Sequence, residues 1–459
     1  VVSCKVENGH MMKRKIMIWT IGMGLSAAVM AQEPLSLHAC MEYAVAHSTK
    51  KIIQDASYAD ALIERRDAIL KAFTPTVSAG TYAYSNFGRA VDPETNTYIS
   101  STSFNNGYSV SGSITLFDGF SALNNIRISN IAVKMGISEE QKVEDEICLA
   151  VMEAYYNVLF HSQMVAVMKS RIEEARENVT LVRRKLELGQ KGRADVVQME
   201  ADLADREYQL INSMNQREDA LLSLKALMLW PMEDTLAVDM SAVKEPFTGT
   251  DNCLESVAEI AGFARENHPS ARIAKGKMEQ ARYELKTARW QFLPSLSLSG
   301  GWSTSYYTYP GRTDYTAVPF ASQFRNNGGE YVQLSLSFPL YDRLSRFSSL
   351  SKKKNGLRRM QAEYEQTLHD IESEVTRAAQ DSQGALAAFF QAEKRSMVQE
   401  EAYRLNEKKL MQGLISPIEF RTVLNDYLNA QAELLNARFQ YLLKSSVVKY
   451  YQGISYLNQ

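Results

Sequence analysis

The chain has 459 residues, of which 23% are charged and 45% are hydrophobic, and its formal net charge is −2. This balance gives no electrostatic indication of nucleic-acid binding, which usually needs a basic face, so no nucleic-acid partner is expected. The apolar content is ample for a packed fold and excludes a largely disordered chain. The length allows two or three ordinary domains or one large elongated structure.

Residues 1–31 have the features of a secretory signal peptide. Lys13, Arg14 and Lys15 form a positive region, and an uncharged, mostly apolar run follows from 16 to 30. Small residues precede Gln32, where cleavage is expected, and polar sequence begins at once. No later apolar run is long enough for a membrane-spanning helix, so we expect the exported chain to enter a membrane through strands.

The rest of the chain contains the same order of features twice. Asp118 and Asp342 are separated by 224 positions, and the same offset separates Gly189 from Gly413. An equal offset without gaps indicates an internal duplication. Each copy reads as helix, strand, loop, strand, very long helix, tight turn and helix. The two predicted structural repeats are 32–238 and 239–459.

Four segments alternate apolar side chains with hydroxyl side chains, as in Leu296-Ser-Leu-Ser and Leu334-Ser-Leu-Ser. A period of two places the apolar set on one face of a strand and the hydroxyl set on the other. Each segment has roughly the ten residues of a tilted membrane-spanning strand. Aromatic residues cluster around the four segments, as expected at a membrane interface. The predicted strands are 76–85, 107–117, 295–305 and 330–339.

A long stretch without proline follows the second strand of each repeat and ends at Gly189 or Gly413. At 1.5 Å per residue, a helix of about 68 residues is ~100 Å long. Such a helix is stable only when it packs beside others, which predicts antiparallel hairpins at 119–230 and 343–453. Asp118 and Asp342 are predicted to cap the long helices at their N-termini.

Four strands cannot cross a bilayer as an open sheet, because the unpaired edges would leave backbone amides unsatisfied in lipid. Closure between chains solves this problem, and three chains supply twelve strands with room for a pore. We therefore predict an α+β membrane protein with four strands per chain. Its homotrimer forms a 12-strand transmembrane β-barrel, continued by a long antiparallel α-helical tunnel.

The chain resembles the TolC family of outer-membrane factors over nearly all of its length. The resemblance rests on the duplication, on the two glycine-centred turns, and on the motifs Phe73-Thr-Pro-Thr-Val-Ser, Leu293-Pro-Ser-Leu-Ser and Leu116-Phe-Asp-Gly-Phe. It implies an outer-membrane channel of a tripartite efflux or type I export system, in contact with outer-membrane lipid and with a large periplasmic extension. It also implies a periplasmic adaptor, an inner-membrane pump of the RND or ABC type, and a conduit that performs no chemistry.

The two helical turns contain the residues that stop one helix and start the next, because glycine permits a left-handed C-cap and Pro417 suits the first turn of a helix. The family resemblance implies that these tips also dock the helical hairpin of the adaptor. The candidate docking residues are Gly189, Gln190, Lys191, Gly192, Arg193, Gly413, Leu414, Ile415 and Ser416.

An acidic pattern recurs beyond each turn. Asp195 and Glu419 lie six residues after their turn glycine, and Asp202 and Asp426 follow seven residues later. Each pair shares a helix face, which is either an ordinary solvated face or the lining of a pore entrance. In the resembling family an acidic ring at the periplasmic mouth favours cations, and its first position falls on Glu419.

The second acidic position of the family falls on Thr422. The family's gate-closing tyrosine and arginine fall on Leu410 and Ile415. We therefore expect that different contacts close the gate of this chain.

No catalytic or metal-ligating spacing is present among the six histidines, so neither an enzyme nor a cofactor is expected. Cys40, Cys148 and Cys253 are scattered, and small apolar packing residues are the expected role. A periplasmic coiled-coil adaptor or scaffold is the alternative function. It accounts for the helical hairpins but leaves the four hydroxyl-lined strands unexplained.

Overall fold

The computed structural model describes residues 34–91, 96–100, 102–241, 256–312 and 316–459. The predicted signal peptide, 1–31, lies outside these residues, and so does Cys253.

In the first half, two helices lead into a pair of long strands. Helices α1 (Leu37–His47) and α2 (Thr49–Phe73) precede strand β1 (Thr76–Asn86). A loop that contains the small strands β2 (Arg89–Val91) and β3 (Tyr98–Ser100) then leads to β4 (Ser103–Phe117).

Helices α3 (Ser121–Glu187) and α4 (Arg193–Met228) complete the first half as an antiparallel hairpin. The 67 residues of α3 correspond to a length of about 100 Å.

The second half repeats this order. Helices α5 (Val257–Asn267) and α6 (Pro269–Trp290) lead into β5 (Ser295–Thr308). A loop that contains the short helix α7 (Phe320–Asn326) leads to β6 (Gly329–Ser337).

The second hairpin consists of α8 (Ser345–Met411) and α9 (Pro417–Tyr451), and a short 3₁₀ turn follows at Tyr456–Asn458. Helix α8 has 67 residues, the same length as α3. Equal lengths in the two halves are what an internal duplication predicts.

The four long strands form one antiparallel sheet in the order β1-β4-β5-β6, so the two halves meet at the β4–β5 pair. Strand β4 begins earlier than the predicted residue 107, because Ser103 to Asn106 continue the pairing with β1. Strand β6 ends at Ser337, two residues before Pro339, which lacks the N–H needed to extend the ladder.

The passage from strand to long helix is built in the same way in both halves. Gly119 and Phe120 have φ of 65° and 62°, and Arg343 and Leu344 have φ of 57° and 64°. These paired left-handed residues turn the chain out of the sheet and occupy the positions just before each helix.

The two predicted helix-capping aspartates act from two residues before the actual N-cap. The Asp118 carboxylate accepts a hydrogen bond of 2.8 Å from the Ala122 N–H. The Asp342 carboxylate accepts one of 3.1 Å from the Arg346 N–H. The aspartates therefore stabilise the helix starts, although Phe120 and Leu344 are the residues at the N-cap positions.

The largest buried cluster joins α1 to the first hairpin. Met152 and Leu159 of α3 meet Leu224 and Met228 of α4 there, together with Cys40 of α1. This contact fixes α1 against the side of the long hairpin, far from the sheet and about midway along α3.

Cys40 and Cys148 lie in this cluster and are free thiols. Burial raises the pKa of both thiols to about 12. A thiol that stays protonated is a poor nucleophile and a poor metal ligand, so these cysteines act as small apolar packing residues.

A buried carboxyl group joins α3 to the end of α9. The Tyr450 hydroxyl donates a hydrogen bond of 2.8 Å to the Asp145 carboxylate. Burial raises the pKa of Asp145 to about 6; the Tyr450 hydrogen bond opposes this shift and the charge of Glu144 adds to it. The Tyr456 ring stacks on Tyr450 with centroids 4.8 Å apart, which fastens the C-terminal residues to the same junction.

Candidate functional site

The register of the sheet sorts its side chains into two chemically different faces. One face, called here the apolar face, carries Val77, Ala79, Val110, Ile114, Leu298, Trp302, Val332 and Leu334. The opposite face, called the hydroxyl face, carries Thr76, Ser78, Ser109, Ser111, Ser113, Ser299, Ser303 and Ser335.

Both faces are continuous across the four strands. On the hydroxyl face the Thr76 and Ser113 hydroxyls lie 3.1 Å apart, and those of Ser78 and Ser111 lie 3.3 Å apart, so cross-strand hydrogen bonds link β1 to β4. On the apolar face Val332 is 84% exposed in the single chain and Leu334 is 63% exposed. An apolar surface of this extent needs another apolar surface or lipid to cover it.

The loop end of the apolar face is covered by helix α7. The Phe324 ring lies 5.4 Å from the Tyr108 ring and 5.6 Å from the indole of Trp302. The Gln323 side chain binds the backbone N–H and C=O of Tyr307, at 3.0 and 2.9 Å. Aromatic side chains therefore gather at this end of the sheet, which is typical of the interfacial end of a membrane-spanning strand.

Strands β1 and β6 are the edges of the sheet, and every residue of both strands is exposed in the single chain. Each edge presents unpaired backbone N–H and C=O groups, which are a template for pairing with another strand.

The first helical tip is a tight turn with standard capping chemistry. Gly189 has φ of 71°, and the Gln190 N–H donates to the Lys185 carbonyl at 2.8 Å. This arrangement is a Schellman C-cap of α3. Helix α4 then begins after Gly192, whose N–H donates a hydrogen bond of 3.1 Å to the Asp195 carboxylate.

The second tip has the same design. Gly413 has φ of 76°, and the Leu414 N–H donates to the Lys409 carbonyl at 2.9 Å. Ser416 and Glu419 form a reciprocal capping box, because the Glu419 carboxylate accepts from the Ser416 N–H at 3.0 Å and the Ser416 hydroxyl accepts from the Glu419 N–H at 3.2 Å.

Helix capping explains why Asp195 and Glu419 lie at the same distance from their turn glycine, because both occupy the third position of a helix. Asp202 forms an ion pair of 2.7 Å with the buried Arg206, whereas Asp426 is exposed. The recurrence of the four acids is thus explained in part by helix capping, and their role at a pore entrance stays a prediction.

The two tips lie side by side. The Lys185 ammonium donates a hydrogen bond of 2.7 Å to the Met411 carbonyl at the C-terminal end of α8. A cation at a helix C-terminus is favourable for both helices. The predicted docking residues are mostly exposed, with Leu414 at 69%, while Ile415 and Lys191 are half-buried.

Sequence reasoning missed a cluster above the tips that joins the two hairpins, called here the hairpin clasp and formed by Arg171, Glu174, Tyr403 and Tyr427. The Arg171 guanidinium lies 5.0 Å from the Tyr403 ring centroid and 4.9 Å from that of Tyr427. It also binds Glu174 at 2.6 Å. Cation–π and charge-assisted contacts of this kind are among the stronger side-chain interactions.

Burial alone lowers the pKa of Arg171, but hydrogen bonding and charge from Glu174 outweigh it and raise the pKa. Burial, followed by the charge of Glu174, raises the pKa of Tyr403. Both groups therefore keep the protonation states that the hairpin clasp needs. The sequence shows basic, aromatic and acidic residues at helical spacing in this region. It contains no signal that pairs Arg171 with a tyrosine of the other repeat.

Across the residues that the structure describes, no helix combines the length and the apolar character needed to cross a membrane. The same residues contain no group of three or more histidine, cysteine, aspartate or glutamate side chains that could hold a metal ion.

A four-stranded sheet with one lipid-compatible face, extended by paired helices ~100 Å long, defines the architecture of an outer-membrane factor. The family described as outer membrane efflux protein matches residues 53–228 and 261–447 of the chain. The chain belongs to this family. It is therefore an outer-membrane channel protein with its long helices in the periplasm, and it is not an enzyme.

Among individual proteins, the chain is similar to the alkaline protease secretion protein AprF of Pseudomonas aeruginosa, with 20% identity over 309 residues. That match covers 67% of this chain and 62% of AprF.

CusC and VceC are among the solved structures that share the fold. CusC has a TM-score of 0.73 at 13% identity, with 90% of this chain and 91% of CusC covered. VceC of Vibrio cholerae has a TM-score of 0.71 at 16% identity, with 91% of this chain and 96% of VceC covered.

Proposed function

We propose that three copies of this chain form a closed duct that carries solutes from the periplasm or from an inner-membrane pump across the outer membrane. The proposal rests on one observation: strands β1 and β6 are the unpaired edges of a sheet that has an exposed apolar face. In lipid these edges must pair, and β1 of one copy with β6 of the next closes the sheet without leaving an edge.

The number of strands favours three copies. Two copies supply eight strands, which make a barrel whose interior is filled by side chains. Three copies supply twelve strands and leave a lumen, towards which the hydroxyl face points while the apolar face meets lipid.

Helix α2 supports assembly in the periplasmic part. It has no buried residue in the single chain, and Ile52, Ile53 and Phe73 are 60%, 67% and 63% exposed. A neighbouring copy that packs on this helix would bury these side chains and complete a helical tunnel around the barrel axis.

We further propose that the chain works as one part of a tripartite system, with a periplasmic adaptor at the helical tips and an inner-membrane pump of the RND or ABC type. AprF is named as a protease secretion protein, which supports type I export, and the outer membrane efflux protein family supports efflux. The energy then comes from the pump, and this chain supplies a passive conduit.

At the periplasmic end, threefold assembly would bring the Asp195 and Glu419 carboxylates of each copy around one axis. Each of them accepts a hydrogen bond from a backbone N–H, so both are held at fixed positions on the tips. A ring of carboxylates concentrates negative potential at the pore entrance and favours cations.

Disulfide cross-linking between edge strands tests the assembly. Cysteine is placed at Ser78 on β1 and, in separate variants, at Gln333, Ser335 or Ser337 on β6, in a chain whose own cysteines are replaced. One of these pairs should give a covalent trimer on a denaturing gel.

The matched control is Ser78→Cys with Ser111→Cys, because these residues face each other within one chain and should link without changing the apparent mass. A purified protein that remains a monomer in detergent and forms no channels in planar bilayers would refute the proposed function.

A further inference from the structure

The hydroxyl face contains no charged side chain anywhere in the four long strands, all of whose residues are described. Glu330 is the one charged residue in these strands, and it lies opposite Trp302 on the apolar face near the loop end. The wall of the proposed lumen therefore consists of serine, threonine, asparagine, glutamine and tyrosine side chains, with glycines between them. Such a wall offers hydrogen bonds but no counter-ion for an ionised solute.

Three tyrosines gather at the loop end of this face. Tyr84 of β1 and Tyr307 of β5 occupy one rung of the sheet, on either side of Asn105, and Tyr82 occupies the next rung. The Tyr82 and Tyr84 rings are stacked, with centroids 5.9 Å apart and an interplanar angle of 18°. These two rings remain 58% and 48% exposed, so their faces are available to a solute.

Gly107 explains how the Tyr82 ring lies against the wall. It stands directly opposite Tyr82, and a Cβ at this position would collide with the phenol ring. The ring thus lies across the strand in the space that a side chain would otherwise fill. Gly80, on the same face, is different, because a Cβ there would make an ordinary contact of 3.8 Å with the Ser109 hydroxyl.

We propose that Tyr82, Tyr84 and Tyr307 form an aromatic contact ring near the outer mouth, which favours uncharged amphipathic solutes that carry a flat ring. The inference rests on the proposed function, since only a closed barrel makes the hydroxyl face a lumen. Stacking on the tyrosines and hydrogen bonds to the serine hydroxyls would hold such a solute as it leaves. A charged solute loses hydration in the same place without gaining an ion pair.

Single-channel recording with two matched probes tests the ring. We expect 4-nitrophenyl glucoside, which is neutral, to cause transient current blocks in the wild-type channel, and 4-nitrophenyl glucuronide, which is anionic, to cause briefer ones. Each tyrosine-to-alanine change at residues 82 and 84 should shorten the glucoside blocks by about two- to twelvefold. The glucuronide blocks should remain briefer than the glucoside blocks in every variant, because the charge penalty does not depend on the tyrosines.

A second pair of variants tests the role of Gly107. Gly107→Ala should push the Tyr82 ring into the lumen and lower the conductance, whereas Gly80→Ala should leave it unchanged. Adding Tyr82→Ala to Gly107→Ala should restore the conductance. Open wild-type channels whose glucoside blocks persist in the Tyr82→Ala and Tyr84→Ala variants would overturn the ring alone, whereas the absence of any conductance would overturn the channel and the ring together.

Discussion

The phenol of Tyr403 donates a hydrogen bond of 2.9 Å to the carboxylate of Glu174, although these residues belong to different helical hairpins. Glu174 also accepts from Arg171, whose guanidinium lies over the Tyr403 ring. Arg206 of α4 then donates to the Arg171 carbonyl at 3.0 Å. The hairpin clasp joins α3, α8 and α9, and the Arg206 hydrogen bond adds α4, so four helices are connected above the tips. Relative movement of the hairpins at this level would widen or narrow a tunnel.

Replacement of Tyr403 by phenylalanine should loosen the hairpin clasp while keeping the ring in place. The lost hydrogen bond has a charged acceptor, for which a cost of about 1.5–3 kcal/mol is typical. We expect faster hydrogen exchange of the backbone amides at both tips and more frequent channel openings in planar bilayers. The melting temperature should fall much less in this variant than in Tyr403→Ala, which removes the whole ring.

Tyr208→Phe is the matched control, because this tyrosine lies on α4 with 63% of its side chain exposed. It should leave both the exchange rates and the opening frequency unchanged. Equal behaviour of the Tyr403 and Tyr208 variants would show that the hairpin clasp does not restrain the tips.

The helices, the four strands and the two faces of those strands followed from local patterns. Alternation with a period of two predicted the four strands, because one face meets a different medium from the other. The equal offset of Asp118 and Asp342 predicted two helices of equal length, and both have 67 residues. The predicted aspartate caps were right in chemistry and two residues off in position, because the left-handed pairs before each helix have no clear sequence signature.

The hairpin clasp could not be predicted in this way. Arg171 and Tyr403 come from different repeats, and their contact depends on the relative axial shift of two long hairpins. Local periodicity contains no information about that shift. The acids near the turns illustrate the opposite case, because their spacing was visible in the sequence. An acid at the third helical position is compatible both with a helix cap and with a pore entrance, so spacing alone did not separate the two roles.

Combined substitution of Glu419→Gln and Asp195→Asn should lower the preference of the channel for cations. Glutamine can keep the capping box of Ser416, so the fold of the second tip should persist. Neutral side chains remove the negative potential that three copies would concentrate at the pore entrance. The reversal potential of planar bilayers under a salt gradient should shift towards zero.

Glu363→Gln, which removes an exposed acid from α8 far from the tips, serves as the control for this experiment. It should leave the reversal potential unchanged. An unaltered reversal potential in the double variant as well would assign the acids to helix capping alone.

The pH dependence of stability should reveal the buried Asp145. Its folded pKa, about 6, is above the ordinary value of 3.8, so its contribution to stability is complete below about pH 3.8 and is lost as the pH rises through 6. Burial lowers the pKa of His268 to about 4, and the charge of Lys142 adds to this. The histidine contribution is therefore complete above about pH 6.5 and is lost as the pH falls through 4.

Because the two contributions oppose each other, the wild-type protein should change little in stability between pH 4 and 6.5. Asp145→Asn removes the contribution of the carboxyl group and keeps an acceptor for the Tyr450 hydroxyl. We expect the free energy of unfolding of this variant to be about 2–3 kcal/mol higher than that of the wild type at pH 7.5. Its melting temperature in detergent should rise steadily with pH over this window. A curve parallel to that of the wild type would show that Asp145 titrates normally.

A charge at the exposed apolar tip should weaken docking of the adaptor without unfolding the turn. Leu414 is 69% exposed, and its side chain takes no part in the Schellman cap, which uses only its backbone N–H. Leu414→Glu should therefore reduce cross-linking to the adaptor by roughly tenfold or more, as expected when a charge enters an apolar contact. Leu405→Glu places the same charge about 14 Å away along α8 and should have little effect if docking is confined to the tips. Equal loss in both variants would instead indicate a contact that extends along the hairpin, because a tip-only contact cannot sense a charge two to three helical turns away.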